Sequence, residues 1–263
     1  MDFNQQVTAQ YRTSVNLDVR IHFYERFSTN KYPWMWWVFD HFDFPPVCRI
    51  LEVGCGLGKL WLENAHRIGL DWEIILSDFS DTMLGKTQAK LMGIQGKFQF
   101  KKFGVEDIPF AADTFDVVIA NHMLYYAVDL DRALSEIHRV LHPGSKLYAS
   151  TNSMKHLKEI DDLLVAFRGG ERPIVSVLEK FNLDNGLDIL KRHFREVNLC
   201  HRANSLLIND PVALTSFCLS IMRAEISQDR QAAFAEYIER IMNECEGKFS
   251  ICKDAGLFIA VKA

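Results

Sequence analysis

Several things are scarce in this chain, and each scarcity excludes a class of protein. Basic charge is not in excess: 30 Lys and Arg stand against 34 Asp and Glu in 263 residues, a formal net charge of -4. A surface built to neutralise phosphates needs the opposite balance, and the basic residues are scattered, so nucleic acid is not an expected partner. The densest basic cluster, Lys191, Arg192, His193 and Arg195, is short enough to be a solvated helix face. No apolar run approaches the roughly 20 residues of a membrane helix, and the polar stretch from Met1 to Thr13 lacks the apolar region of an export signal. The six cysteines (Cys48, Cys55, Cys200, Cys218, Cys245, Cys252) have no C-x-x-C spacing, and several lie in apolar stretches where a reduced thiol packs as a small hydrophobe. These absences lead to the expectation of a soluble, cytoplasmic protein without a membrane partner. No acids and histidines pair at ligand spacing, so no metal is expected. No repeat, low-complexity tract or flexible linker interrupts the chain, which suggests one domain with additions.

What is present is enough apolar residue, 48%, to bury a substantial core. Between Arg49 and about Thr151 the pattern alternates. Runs at 50 to 53, 73 to 77, 115 to 120 and 146 to 150 and the alternating stretch at 97 to 101 predict strands, and stretches at 59 to 68, 81 to 92 and 131 to 141 predict helices. Such alternation implies a parallel sheet wrapped by helices. Residues 1 to 45 read as helical, with Leu17, Ile21 and Tyr24 at helical spacing after a candidate cap at Asn16, and a second helix from about Pro33. Its cluster of Trp34, Met35, Trp36, Trp37, Phe39 and Phe42 either packs on the domain or lines a pocket beside it, and core packing is the commoner use of such a stripe. Past Thr151, residues 154 to 193 and 211 to 247 read mostly as helix, with strands at 196 to 199, 206 to 208 and 257 to 261.

The most informative stretch is Ile50-Leu51-Glu52-Val53-Gly54-Cys55-Gly56-Leu57-Gly58, followed 20 residues past its last glycine by Asp78. An apolar strand running into a glycine turn lets the backbone approach a ligand, the next helix offers free N–H groups, and an acid one strand over can accept both hydroxyls of a ribose. A nicotinamide dinucleotide fold wants G-x-G-x-x-G. Gly54 and Gly56 fit that pattern, but the third position is Lys59. Glu52, inside the strand end, would repel a pyrophosphate and suits a ligand with ammonium and sulfonium groups. S-adenosylmethionine is such a ligand, and a nicotinamide oxidoreductase is the disfavoured competitor.

Four segments, LEVGCGLG (51 to 58), SDFSDTML (77 to 84), EDIPFAADTFDVVIANHMLYYAVD (106 to 129) and ALSEIHRVLHPGSKLYAS (133 to 150), resemble the class I S-adenosylmethionine-dependent methyltransferases, in that family's order and spacing, particularly its branch acting on small molecules. The resemblance covers residues 49 to 151. It implies a Rossmann-like, doubly wound α/β sheet of seven strands with the last antiparallel, an N-terminal helical lid over 1 to 45, and a domain over 46 to 263 with substrate-side insertions at 152 to 250. Carried over, it places Glu52, Gly54, Gly56 and Gly58 around the methionine half of the cofactor, Asp78 on the ribose diol and Phe79 against the adenine. Where the family has an acid for the adenine amino group, this chain has Gly104. The Val105 N–H remains for the ring, and Glu106 either reaches the amino group or sits in solvent. For Asp78 the alternative is a helix N-cap before Ser80 or Asp81.

Asn121 ends the fourth strand, where its carbonyl can meet the methionine ammonium. His122 follows at the same edge and is the candidate general base, or else a histidine that shapes the loop. Tyr125 and Tyr126 offer a ring face to the sulfonium or a hydroxyl to the acceptor, or merely pack. Tyr11 and Arg20 resemble the lid, and Arg20 would meet the methionine carboxylate bidentately or be a surface arginine. Asn152, His156 and Lys158 either face the acceptor or begin a solvated helix. Asn121-His122-Met123-Leu124 is not an N-P-P-Y clamp, which speaks against methylation of DNA bases or glutamine amides. The implied activity is methyl transfer from S-adenosylmethionine to a small-molecule acceptor by in-line displacement, in a monomer or homodimer. The alternative is a catalytically silent protein that binds the donor or its demethylated product and acts through a partner.

Overall fold

The computed structural model describes residues 14–169, 177–222 and 227–263. The strands, in chain order, are β1 (Cys48–Val53), β2 (Trp72–Asp78), β3 (Lys97–Lys102), β4 (Phe115–Asn121), β5 (Leu141–Asn152), β6 (Glu196–Arg202), β7 (Ser205–Ile208), β8 (Phe249–Cys252) and β9 (Ala255–Val261). Seven of them form one sheet in the order β3-β2-β1-β4-β5-β9-β6. Neighbours from β3 to β5 are parallel, and β9 runs antiparallel to both β5 and β6. The expected Rossmann-like architecture, with its last strand reversed, is the observed one.

The chain divides into two compact units. The sheet unit comprises the described parts of 32–154, 175–202 and 255–263, and a helical unit comprises those of 1–31, 155–174 and 203–254. In the sheet unit β1, β2 and β4 read as apolar runs because both faces are covered. Alternation along β1 sends Leu51 and Val53 to one face, with Leu134 and Ile137 of the helix Leu130–Val140, and Ile50 to the other, with Trp61, Val38 and Phe39. The aromatic helix Trp34–Asp40 is therefore part of the core beneath the sheet, through Val38 and Phe39. Strand β3 lies at the sheet edge and carries exposed lysines outward, which discourages further pairing.

In the helical unit, Phe23 of the helix Ser14–Phe27 stacks on Phe217 of the helix Pro211–Ile221 at 4.1 Å between centroids. The helices Lys158–Phe167 and Gln228–Glu244 complete that core with Ile160, Leu163, Phe234 and Ile238. Strands β7 and β8 pair antiparallel beside it.

Four elements differ from the expected pattern, each for a local reason. The helix expected over 59 to 68 stops at Glu63, because the Asn64 side-chain amide donates to the Leu60 carbonyl at 2.8 Å and to that of Met35 at 3.1 Å; a 3-10 turn, Ala65–Arg67, follows. Strand β5 starts at Leu141 rather than 146: Phe115 pairs with Leu141 and Val117 with Lys146, so His142-Pro143-Gly144 is accommodated as a register shift within the strand. In the region 154 to 193, expected mostly as helix, the helix Lys158–Phe167 ends before Gly169 at φ +81°, and the next described α-helix, Gly186–Leu190, follows a turn in which the Asn182 side-chain oxygen accepts from the N–H groups of Asp184 and Asn185 at 2.8 and 3.1 Å. Strand β8 is four residues long, too short to display a period against its neighbours.

Among the described residues no helix is long and apolar enough to cross a membrane. All six cysteines are free thiols.

Candidate functional site

The parallel strands deliver their last residues to one edge of the sheet, and the residues singled out in β1, β2 and β4 gather there. Gly54, Gly56 and Gly58 all take left-handed φ, at +66°, +54° and +66°. Each glycine answers to something different. A Cβ on Gly54 would stand 3.0 Å from Met123 Cβ, and one on Gly58 would stand 2.6 Å from Thr87 Cγ2. One on Gly56 would meet nothing within 4 Å. Gly54 and Gly58 are thus required for packing, whereas Gly56 leaves open ground.

Asp78, only 6% exposed, holds this loop. One carboxylate oxygen accepts the Gly56 N–H at 3.1 Å and the other that of Ser80 at 2.9 Å. Burial raises its pKa, and the N–H groups of Ser80, Gly56 and Phe79 pull it back. The cap of the following helix, Asp81–Leu91, is Ser80 itself, whose hydroxyl accepts from the Met83 N–H, so Asp78 is not that cap. Beside it, the Phe79 ring is 45% exposed, a wasteful placement for a large aromatic unless something covers it.

Glu52 is 2% exposed, and its Oε2 accepts from the indole N–H of Trp61 at 2.7 Å. Burial pushes its pKa up to about 8, against the Trp61 and Asn121 side chains, which favour the charged form; the nearby Asp78 charge adds to the rise. The Asn121 Oδ1 accepts from the Ser150 hydroxyl at 3.0 Å, which leaves its buried Nδ2 as the donor on the Glu52 side. His122 follows with φ +49°, uncommon for a residue with a side chain; its N–H donates to Ser150 and its ring lies 5.2 Å from that of Trp34. Tyr125 is buried and Tyr126 half-buried, their rings 4.6 Å apart.

Val105 is buried in the core, and Glu106 Oε1 accepts the Val128 N–H at 2.8 Å. Glu106 Oε2 stands 3.3 Å from where a Cβ on Gly104 would be, so the carboxylate curls back over the bare position. In the helical unit, Arg20 Nε donates to Ser220 Oγ at 3.3 Å and its Nη2 to the Ser220 carbonyl. Tyr11 lies outside the described residues. Asn152 ends β5, Lys158 is exposed and paired with Asp162, and His156 is half-buried, with desolvation pressing its pKa down to about 4.

Two supporting residues have no signature in the sequence. Trp61 reads as an ordinary core aromatic, yet it holds Glu52. Thr87, in mid-helix, donates its hydroxyl to the Gly56 carbonyl at 2.5 Å and so fixes the loop from below.

The fold of the sheet unit is that of the class I, Rossmann-like methyltransferases. Residues 51–149 match the family model described as a methyltransferase domain. Among curated relatives, the ubiquinone/menaquinone biosynthesis C-methyltransferase UbiE of Shewanella sp. (strain ANA-3) is 34% identical over 104 residues, 39% of this chain and 41% of the relative. The UbiE of Vibrio parahaemolyticus is 30% identical over 136 residues, 51% and 52% of the two chains. The chain thus spans about half or less of the length of the curated relatives it matches. Among solved structures, the YcgJ protein of a Bacillus superposes with a TM-score of 0.57 at 15% identity, covering 87% of this chain and 97% of that one. A Haemonchus contortus phosphoethanolamine N-methyltransferase, solved with phosphomonomethylethanolamine and S-adenosylhomocysteine, gives 0.58 at 17% identity, covering 100% and 60%. At these identities the structural likeness speaks for the fold alone.

Proposed function

We propose that this chain binds S-adenosylmethionine at the carboxyl edge of the sheet and transfers its methyl group to a small-molecule acceptor. The observation that carries this reading is the open side of Gly56 next to the clamped carboxylate of Asp78: a phosphate-free nucleoside can lie against the bare backbone while the remaining lone pairs of Asp78 take its ribose hydroxyls. Phe79 supplies a ring for the adenine, and the Val105 N–H with the Glu106 carboxylate supplies its polar edge. Glu52 and Asn121 face the methionine ammonium. A bound sulfonium supplies an electrophilic methyl that needs mainly in-line placement and exclusion of water. His122, beside Asn121, takes the proton released by the acceptor, with Tyr125 and Tyr126 shaping the approach. The six free thiols support a reducing, cytoplasmic setting.

The direct test is calorimetric titration with S-adenosylhomocysteine and with NADH, followed by incubation with radiolabelled donor and a metabolite extract. Tight binding of the first ligand, none of the second and a labelled product are expected. Firm binding of NADH alone would overturn the reading.

Glu52 makes a separate prediction. Between its ordinary 4.5 and about 8, the folded carboxyl keeps a proton that the unfolded one has released, so its contribution to stability falls as pH rises through that window and levels off above it. Glu52→Gln should remove this slope from thermal melts recorded across the window. A cation seated beside Glu52 favours its charged form, so donor binding near neutral pH should release a fraction of a proton, seen as a dependence of the calorimetric enthalpy on buffer ionisation and absent in Glu52→Gln.

His122→Ala is expected to leave the affinity for S-adenosylhomocysteine within about twofold and to lower methyl transfer by roughly a hundredfold or more, the usual worth of a general base. Equal loss of donor affinity in this variant and in Asp78→Ala would refute the division of roles.

A further inference from the structure

Arg202 has no part in the reading above. It is the last residue of β6, and because β5 and β6 both pair with β9, Arg202 and Asn152 stand opposite the same residue, Ala255. Arg202 therefore lies at the edge that carries Asn121 and His122, two strands beyond β5. It is 7% exposed, unusual for an arginine without a carboxylate, and among the described residues no acidic side chain pairs with it. Its Nη2 donates to the Tyr32 carbonyl, while its buried Nε has no acceptor. Its guanidinium lies 5.6 Å from the ring of Trp34 and 5.9 Å from that of Trp37, two indoles stacked 5.2 Å apart. Trp34 is also the ring that touches His122, and its own Nε1 is buried without an acceptor.

The arrangement is one-sided: a positive charge and two N–H donors unmatched among the described residues, beside a pair of stacked indoles and next to the residue that receives the acceptor's proton. Arginine and indole nitrogens can only donate, so the missing partner must be an acceptor of hydrogen bonds, and the fixed charge selects an anionic one. Stacking alone would not explain it, because the ring contacts leave both donors unmet.

We propose that Arg202 and Trp34 form a subsite for a carboxylate on the methyl acceptor, so that the acceptor is a planar organic acid held by its charge while its nucleophilic atom is turned toward His122. This rests on the methyl-transfer reading for the identity of the molecule bound, but not for the existence of the subsite. The probes are naphthoate and naphthamide, matched in shape and differing in charge, titrated into the full chain saturated with S-adenosylhomocysteine and followed by tryptophan fluorescence and calorimetry. Naphthoate is expected to bind at least about tenfold tighter than the amide. Arg202→Met should erase the preference and Arg202→Lys should keep part of it. Equal binding of acid and amide, binding of neither at millimolar concentration, or a preference that persists in Arg202→Met would overturn the subsite. Should Arg202→Met not fold, Trp34→Phe, which removes one donor and keeps a ring, must weaken the preference; an unchanged ratio would overturn it equally. Failure of the native chain to bind S-adenosylhomocysteine would count against the donor reading instead, and the comparison of acid with amide, repeated without it, would still decide the subsite.

Discussion

Asp78→Ala is expected to weaken S-adenosylhomocysteine binding by between tenfold and a hundredfold or more. In the structure the carboxylate lies at the end of β2, nearly buried, with each oxygen already committed to one backbone N–H and each retaining a lone pair. A hydrogen bond from a ribose hydroxyl to such a charged, desolvated acceptor contributes about 1.5 to 3 kcal/mol, and each 1.4 kcal/mol or so is tenfold in affinity. The same substitution leaves the N–H groups of Gly56 and Ser80 without their acceptor, at about 1 to 3 kcal/mol per buried group and less where water can enter. A lower melting temperature is therefore also expected. Asp78→Asn separates the two effects: its one remaining carbonyl oxygen can hold either loop N–H, so stability should recover more than affinity does. Calorimetry and thermal melts on the three proteins check this, and unchanged affinity in Asp78→Ala would remove the ribose role.

The second large effect concerns two glycines two residues apart that should fail in different ways. Gly58→Ala places a methyl 2.6 Å from Thr87 Cγ2 and 3.4 Å from Leu91 Cδ1, at φ +66°. The left-handed backbone adds about 1 to 2 kcal/mol, overpacking adds about 1 to 3 more, and displacing Thr87 also disturbs its bond to the Gly56 carbonyl. A fall in melting temperature of several degrees is expected. Gly56→Ala, at φ +54° with nothing within 4 Å, should show only the backbone part in stability. Its methyl projects into the ground assigned to the ligand, so affinity for S-adenosylhomocysteine should fall by more than about tenfold. Were Gly58→Ala the variant that lost binding at full stability, the assignment of the open side of the loop would be reversed.

The residues in both cases are legible in the sequence. Gly54, Gly56, Gly58 and Asp78 declare themselves because a positive-φ turn after an apolar strand and an acid at the end of the next one are local facts about side chains. The strands of the sheet are legible for a related reason. A strand buried on both faces must be apolar throughout, as in β1, β2 and β4, and the helix Leu130–Val140 shows its inward Ala133, Leu134, Ile137 and Val140 at helical spacing. Boundaries were less legible where a side chain competes with the backbone for hydrogen bonds. Asn64 ends a helix whose apolar period runs on past it, and that competition depends on which carbonyl is within reach.

The layered α/β architecture, the succession of its elements and the loop that a nucleoside can approach follow from periodicity, turn chemistry and charge within short windows of the chain. The state of those residues depends on contacts that exist once the chain is folded. Glu52 is an ordinary acid until the sheet buries it, which lifts its pKa to about 8 even though the Trp61 indole at 2.7 Å favours the charged form. Arg202 is an ordinary arginine until β9 carries β6 to the same edge and brings Trp34 beside it, leaving a charge without a counter-charge among the described residues. Desolvation and pairing are properties of neighbours far apart in the chain, and no local pattern records them.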